Sequence, residues 1–252
     1  MSKLKKDNAP KILLFDIENA PIVTWSWGIH DDPSHSTKFV KSDWYIMCWS
    51  AKWLGEKDII SSALTDFKYN FRNPNDKQIL EALWKLLDEA DIVIAHNGKK
   101  FDCRKANTRF LIHGMKPPSP YKVIDTLTIA RQSFMFTSNR LGDLGNYFGV
   151  GSKMETGGFE LWKDCMDGDL KAWGKMVKYC KQDVRLLEKV YKKLAPYAKS
   201  NFGLQAFFDI HVCGSCGSPK IQYRGYAYAK TRKYRRFQCT KCGTWGRDNK
   251  MV

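Results

Sequence analysis

The 252-residue chain is 43% hydrophobic and 13% aromatic, which excludes an intrinsically disordered protein and supports one sizeable core with a small appendage. No apolar run reaches about 18 residues, and the basic start MSKLKKDNAP lacks the apolar stretch of a secretory signal, so no membrane contact and a cytosolic location are expected. The net charge of +16 is uneven: Cys213 to Val252 carries ten Lys and Arg against one Asp, which points to a polyanion partner, most simply nucleic acid, with a merely solvated surface as the plain alternative.

The first expected element is the strand in KILLFDIENAP. Ile12, Leu13, Leu14 and Phe15 read as buried, and the run ends in Asp16 and Glu18. Side chains alternate along a strand, so these two carboxylates share a face, a costly arrangement unless a positive group sits between them. Ile22 to Ile29 and Trp44 to Trp53 are aromatic and β-branched and read as strands, separated by the polar loop HDDPSHSTKF. Apolar Ile79, Leu80, Leu83, Leu86 and Leu87 recur at helical spacing, predicting a helix over Asp76 to Ala90 capped by Asn75 or Asp76. Asp91 to Ala95 is a short buried strand. HNGKKFDCRKANTRFLIHG then reads as a turn and a helix ending at Gly114, and Tyr121 to Asp125 is a fifth strand. The remainder to about Ala198 reads as helical, broken near Gly142 to Gly151 and at Gly157 and Gly158. This order predicts an α/β layered fold with a mixed sheet.

Two further acidic positions follow the first pair. Asp102 closes HNGKKFD after the DIVIA strand, and Asp183 lies in YCKQD. The helix around Asp183 is apolar at Trp173, Met176, Val177, Cys180, Val184, Leu187 and Leu194, and Asp183 falls at the edge of that stripe. Tyr179, four residues earlier, neighbours it. A half-buried Asp needs a partner; being mid-helix it is not a cap, which leaves a salt bridge to a nearby Lys.

Taken together, DIE, NGKKFD and YCKQD resemble the three motifs of DnaQ-like, or DEDD, 3′–5′ exonucleases, over roughly residues 10 to 195. Tyr179 resembles the DEDDy subgroup, which includes the proofreading domains of family B DNA polymerases. VIDTLTIARQ and LGDLGNYFG resemble the segments such enzymes carry between the second and third motifs, and WYIMCWSAKWLG resembles stand-alone bacteriophage-type members. The resemblance implies a ribonuclease H-like mixed sheet flanked by helices, and two divalent ions, Mg²⁺ or Mn²⁺, as the missing positive charge. It implies that Asp16 bridges both ions, Glu18 and Asp183 complete one site, Asp102 holds the other, and Tyr179 positions the attacking water. For a phage-type member the location would be the host cytoplasm.

Among the neighbours, Asn97 is read as bonding backbone or substrate, or simply closing a turn with Gly98. Phe101 is read as a wedge against a terminal base or as support for Asp102. Lys99, Lys100, Arg104 and Lys105 are placed to meet a phosphate backbone or to form a solvated helix face. Asp125 is read as a cap for the helix that follows it.

The C-terminal region is set apart by Cys213-x₂-Cys216 and Cys239-x₂-Cys242, separated by 22 residues and each followed by Gly. That spacing predicts a zinc ribbon with one structural Zn²⁺; two disulfides are the alternative, disfavoured in a cytosolic setting. Cys48, Cys103, Cys165 and Cys180 read as buried thiols. Between the knuckles, seven basic residues alternate with aromatic ones, and Arg224, Arg232, Lys233, Arg235 and Arg236 are candidates for nucleic-acid contact. The same rings are equally suited to packing a hairpin's own small core. The expected organisation is an exonuclease domain over 1–200, a packed connector over 201–212 and a zinc ribbon over 213–252.

The sequence therefore predicts a metal-dependent 3′–5′ exonuclease releasing nucleotides from DNA, the choice of DNA following the likeness to polymerase proofreading domains. An exoribonuclease of the same chemistry and a non-catalytic nucleic-acid-binding module are the competing readings. A replication or repair protein is the expected protein partner.

Overall fold

The computed structural model describes residues 9–27, 37–198 and 202–252. In chain order its elements are β1 (Ile12–Asn19), β2 (Val23–Thr24), β3 (Val40–Ser42), β4 (Ile46–Trp53), β5 (Ile60–Ala63), α1 (Lys77–Glu89), β6 (Ile92–Ala95), α2 (Asp102–Ile112), β7 (Lys122–Asp125), α3 (Thr126–Ser133), α4 (Leu141–Tyr147), α5 (Glu160–Met166), α6 (Leu170–Leu194), β8 (Ile221–Tyr228), β9 (Lys233–Cys239) and β10 (Trp245–Met251).

The apolar runs pair into a mixed sheet of order β5-β4-β1-β6-β7. β1 runs antiparallel to β4, with Asp16 opposite Ser50 and Glu18 opposite Cys48, and parallel to β6. β4 pairs antiparallel with β5, and β6 parallel with β7. This is the ribonuclease H-like mixed sheet with flanking helices that the sequence predicted. β5 was not foreseen: it is a short edge strand whose Ser61 and Ser62 break the apolar run. Of the strand expected over Ile22 to Ile29, only Val23 and Thr24 pair, with β3; Gly28, Ile29 and most of the loop after them lie outside the described residues.

Strand alternation divides the interior into two cores. Leu13, Phe15 and Ile17 enter one with residues of α1, α2 and α5, and Leu14 enters the other with residues of α3 and α4. The 25-residue helix α6 serves both, giving Trp173, Met176, Tyr179 and Cys180 to the first and Val184, Leu187, Val190 and Leu194 to the second. Each fully buried large apolar side chain contributes about 1.5–3 kcal/mol. The buried indole N–H groups are satisfied, Trp49 donating to Ile79 O at 2.8 Å and Trp173 to Cys165 O at 2.8 Å.

Two local expectations are corrected. Asp76 does not cap α1 through its side chain. It is fully buried and accepts from Ile46 N–H and from both arms of Arg109, at 2.9, 2.8 and 2.7 Å, tying α1 to β4 and α2. The first-turn N–H of Lys77 instead finds Asn75 Oδ1 at 3.0 Å. The helical break near Gly142 is displaced to either side of α4, over 134–140 and after Tyr147, and α4 itself runs through Gly142 and Gly145. Gly145 serves close packing: a Cβ there would lie 2.4 Å from Gly151 O and 2.7 Å from Leu186 Cδ1.

Phe202 and Leu204 are buried in the second core, and Lys122 Nζ donates to Phe202 O at 2.7 Å, so the segment before Cys213 is packed. A separate antiparallel sheet, β10-β9-β8, follows. No helix among the described residues is long and apolar enough to cross a membrane.

Candidate active site

β1 presents Asp16 and Glu18 on the face shared with Leu14, and α6 brings Asp183 to meet them. Carboxylate oxygens of the three lie within 4.8 Å of one another. Asp102, the first residue of α2, is outside that group but adjoins it: its Oδ1 accepts the N–H of Ile17, between Asp16 and Glu18, at 3.3 Å. Asp125 fixes the turn that launches α2. It caps α3 through Leu127 N–H and Thr128 N–H and also accepts from Asn97 N–H at 3.0 Å and Lys99 N–H at 3.3 Å. The predicted cap thus also braces the Asn97 turn, where Asn97 adopts a left-handed φ of 67°.

Burial, and then mutual repulsion, hold the carboxyl groups far from their ordinary titration. Glu18 is pushed up to about 8, by burial first and then by Asp183. Asp102 is pushed up to about 7, chiefly by burial. Asp16 is raised well above the usual carboxylate range by burial and by Asp102, Glu18 and Asp183. Asp183 is raised by burial, against the opposing pull of Lys153.

Lys153 is the residue that sequence reasoning missed. Its Nζ donates to Asp183 Oδ2 at 2.5 Å and to Tyr179 Oη at 2.8 Å. The salt bridge considered for Asp183 therefore exists, but its lysine comes from the loop between α4 and α5. A single Lys in GVGSKMETGG has no periodicity or spacing to distinguish it. Asp183 Oδ1 is buried with no hydrogen-bond partner. An orphaned carboxylate oxygen among crowded carboxylates fits a hard divalent cation, which prefers oxygen ligands. Tyr179 is raised above the ordinary phenol value by burial and by Asp183, so its hydroxyl stays protonated. Cys180, beneath the site, faces Asp16 O at 3.6 Å.

A cleft of about 710 Å³ opens beside Asp16, lined in part by His96, Phe101, Arg131, Arg140 and Lys153. His96 is half-buried, with one ring nitrogen 2.9 Å from Thr126 Oγ1 and the other 2.9 Å from Asn139 O. Phe101 is 39% exposed, so it is a lining residue rather than core. Lys99, Lys100 and Arg104 are exposed, whereas Lys105 Nζ lies 3.7 Å from the centre of the Trp44 ring.

The second cluster is Cys213, Cys216, Cys239 and Cys242, with sulfur atoms all within 4.8 Å. All eight cysteines are free thiols. Cys213 Sγ lies 3.7 Å from Cys242 Sγ, and Cys216 Sγ 3.7 Å from Cys239 Sγ. A tetrahedron of sulfurs about 2.3 Å from a central ion has edges of about 3.8 Å, so the donor set fits zinc. The two knuckles are alike: Gly217 N–H and Gly243 N–H fold back on Cys213 O and Cys239 O at 2.8 and 2.9 Å, with left-handed φ of 66° and 79°. A hydrogen bond from Cys216 pulls Cys213 down to about 5.

The basic candidates divide once placed. Arg235 pairs with Asp248 at 2.9 Å and stacks on Tyr223, and Lys233 lies over Tyr226. Arg224, Arg232 and Arg236 are exposed and have no ion pair among the described residues. Phe237 is buried, so part of the aromatic content does pack a small core.

A family model described as RNase_H superfamily matches residues 56–195, more than half of the chain. The chain belongs to the RNase_H superfamily. The match begins after β1 and β4, so Asp16 and Glu18 are joined to the superfamily region by β1 pairing with β6 and by their closeness to Asp183. A family B DNA polymerase from the hyperthermophilic archaeon Pyrobaculum calidifontis has a similar structure, with a TM-score of 0.54, 15% identity, and coverage of 89% of this chain and 32% of the polymerase. The chain thus spans about a third of that polymerase, and at this identity the likeness concerns the fold. No curated protein sequence matches the chain.

Proposed function

We propose that this RNase_H superfamily chain is a metal-dependent 3′–5′ exonuclease that releases nucleotides from DNA, with a zinc-held C-terminal region that binds nucleic acid. The observation that carries the reading is the grouping of Asp16, Glu18 and Asp183 from distant parts of the chain within 4.8 Å. Asp16, Glu18 and Asp183, with Asp102 beside them, would hold Mg²⁺ or Mn²⁺. Such ions acidify a water and stabilise the attacking and leaving oxygens of a phosphodiester displacement. Tyr179, kept protonated, donates a hydrogen bond that orients the water, and Lys153 holds the Tyr179 hydroxyl in place. The cleft beside Asp16 receives the terminal nucleotide, Phe101 packing on its base and Arg131 and Arg140 meeting its phosphates. Cys213, Cys216, Cys239 and Cys242 would hold one structural Zn²⁺. A replication or repair protein as partner belongs to the same reading.

The test uses 5′-labelled single-stranded DNA and RNA of one sequence with Mg²⁺, Mn²⁺ or EDTA, alongside Asp16→Ala. A ladder shortening from the 3′ end, stronger on DNA and abolished by EDTA and by the substitution, is the expected result. Intact strands with both metals, from a protein that still retards them on a gel, would establish a binding module instead.

A further inference from the structure

The register of the C-terminal sheet places its arginines on two unlike faces. Tyr223, Phe237 and Gly246 are cross-strand neighbours on one face, as are Tyr226 and Arg235. There Asp248 is buried and accepts from Tyr223 Oη at 3.0 Å and from Arg235 Nε at 2.9 Å, and His211 packs edge-on against Phe237 at 4.9 Å. On this inner face Arg235 has its carboxylate partner, and Lys233 lies over the Tyr226 ring.

The outer face is not. Arg236 stands directly opposite Arg247, and Trp245 opposite Gln238. Arg236 lies over the Trp245 ring at 4.8 Å and Arg247 over Tyr234 at 4.4 Å. Both arginines are exposed, Trp245 is 47% exposed, and neither arginine has an ion pair among the described residues. Like charges directly opposite across strands are destabilising, so an anion between them would relieve the pair. Each guanidinium rests against an aromatic ring, and Arg236 Nε donates to Arg224 O at 3.1 Å, which leaves its terminal N–H groups to meet an anion.

We propose that this outer face, centred on Arg236 and Arg247 with Trp245 and Tyr234, is a binding surface for single-stranded nucleic acid. A backbone phosphate lies between the two guanidinium groups, and an unpaired base stacks on Trp245. The proposal rests on the reading of the C-terminal region as nucleic-acid-binding and deepens it. It replaces a general basic tract with one face, adds Arg247, Trp245 and Tyr234, and assigns Arg235 to the fold.

The experiment measures fluorescence anisotropy of a labelled oligothymidylate with the full chain carrying Asp16→Ala, so that the strand stays intact. Arg236→Gln with Arg247→Gln should weaken binding at least about tenfold and lower the salt slope by about 0.7, the share of one phosphate on a single strand. Trp245→Ala should weaken binding about tenfold and remove the preference for single strands over a duplex of equal length. Lys230→Ala with Arg232→Ala, in the β8–β9 turn, removes the same charge and should cost much less. One zinc per chain in every variant shows that the region has folded. If the parent binds but the outer-face variants match it, or the turn variant loses as much, the face is wrong while the broader reading stands. If the parent does not bind the oligonucleotide, both fall.

Discussion

The acidic cluster and the cysteine cluster both gather side chains suited to a metal, yet they are assembled in opposite ways. Asp16, Asp102 and Asp183 are separated by most of the chain and meet because two hydrophobic cores fix β1, α2 and α6. The cysteine cluster is built from two short knuckles, each closed by its own backbone hydrogen bonds, on a region with few buried apolar residues. The first should persist without an ion, because packing makes it. The second should depend on one, because little else holds it.

The largest expected effects come from exchanging the damage. Asp183→Asn should lower hydrolysis about 10²–10³-fold, the range for losing a main electrostatic stabiliser of the transition state. Zinc content and circular dichroism should stay those of the parent. Cys239→Ser should do the reverse, releasing zinc and exposing the region after Val212 to protease while a resistant core keeps hydrolysing short strands. If Cys239→Ser also destroys the core, the contrast fails.

A middle-sized effect is expected at Tyr179. Tyr179→Phe removes one orienting hydrogen bond and should slow hydrolysis about tenfold, with substrate affinity unchanged. A loss as large as that of Asp183→Asn would give the hydroxyl a larger role than orientation.

The smallest effect is on stability and sharpens the claim that packing builds the acidic site. Glu18 and Asp102 titrate at about 8 and about 7 when folded. Both titrate near about 4 when unfolded. Between these limits the folded chain holds protons that the unfolded chain has released, so without divalent ions stability should fall as pH rises from about 5 to about 8. The melting temperature should drop across that window, less so in Glu18→Gln. Lys153→Met should steepen the fall, because its ammonium opposes the raised values of Asp16, Glu18, Asp102 and Asp183. Mn²⁺ should flatten it. A melting temperature that is constant or rises across the window would show that the crowding is relieved in solution.

Much of this was readable in the chain because each acidic residue is anchored to a periodic element. The alternation of ILLFDIE and the apolar stripe around Asp183 state directly which way those carboxylates face. Lys153, Arg131 and Arg140 were not legible as parts of one site, because Lys153 and Arg140 sit in loops, where side-chain type carries no direction, and Arg131 is an exposed residue in the last turn of α3. β5 was hidden because an edge strand has only one buried neighbour and tolerates serines. The outer-face pair in the C-terminal sheet needed register: Arg235 and Arg236 are adjacent in sequence, but the pleat sends them to opposite sides.

Helix α6 lends its first half to one core and its second half to the other, and Tyr179 and Asp183 lie where the two shares meet. Those two groups are therefore teeth cut on one bar, their spacing set by a single helical turn, whereas their alignment with β1 depends on how both cores seat that bar. Warming or a cavity in either core would tilt the bar before it melted the sheet. Activity would then fade at a lower temperature than the fold, and the gap between the two temperatures would measure how firmly the helix is clamped.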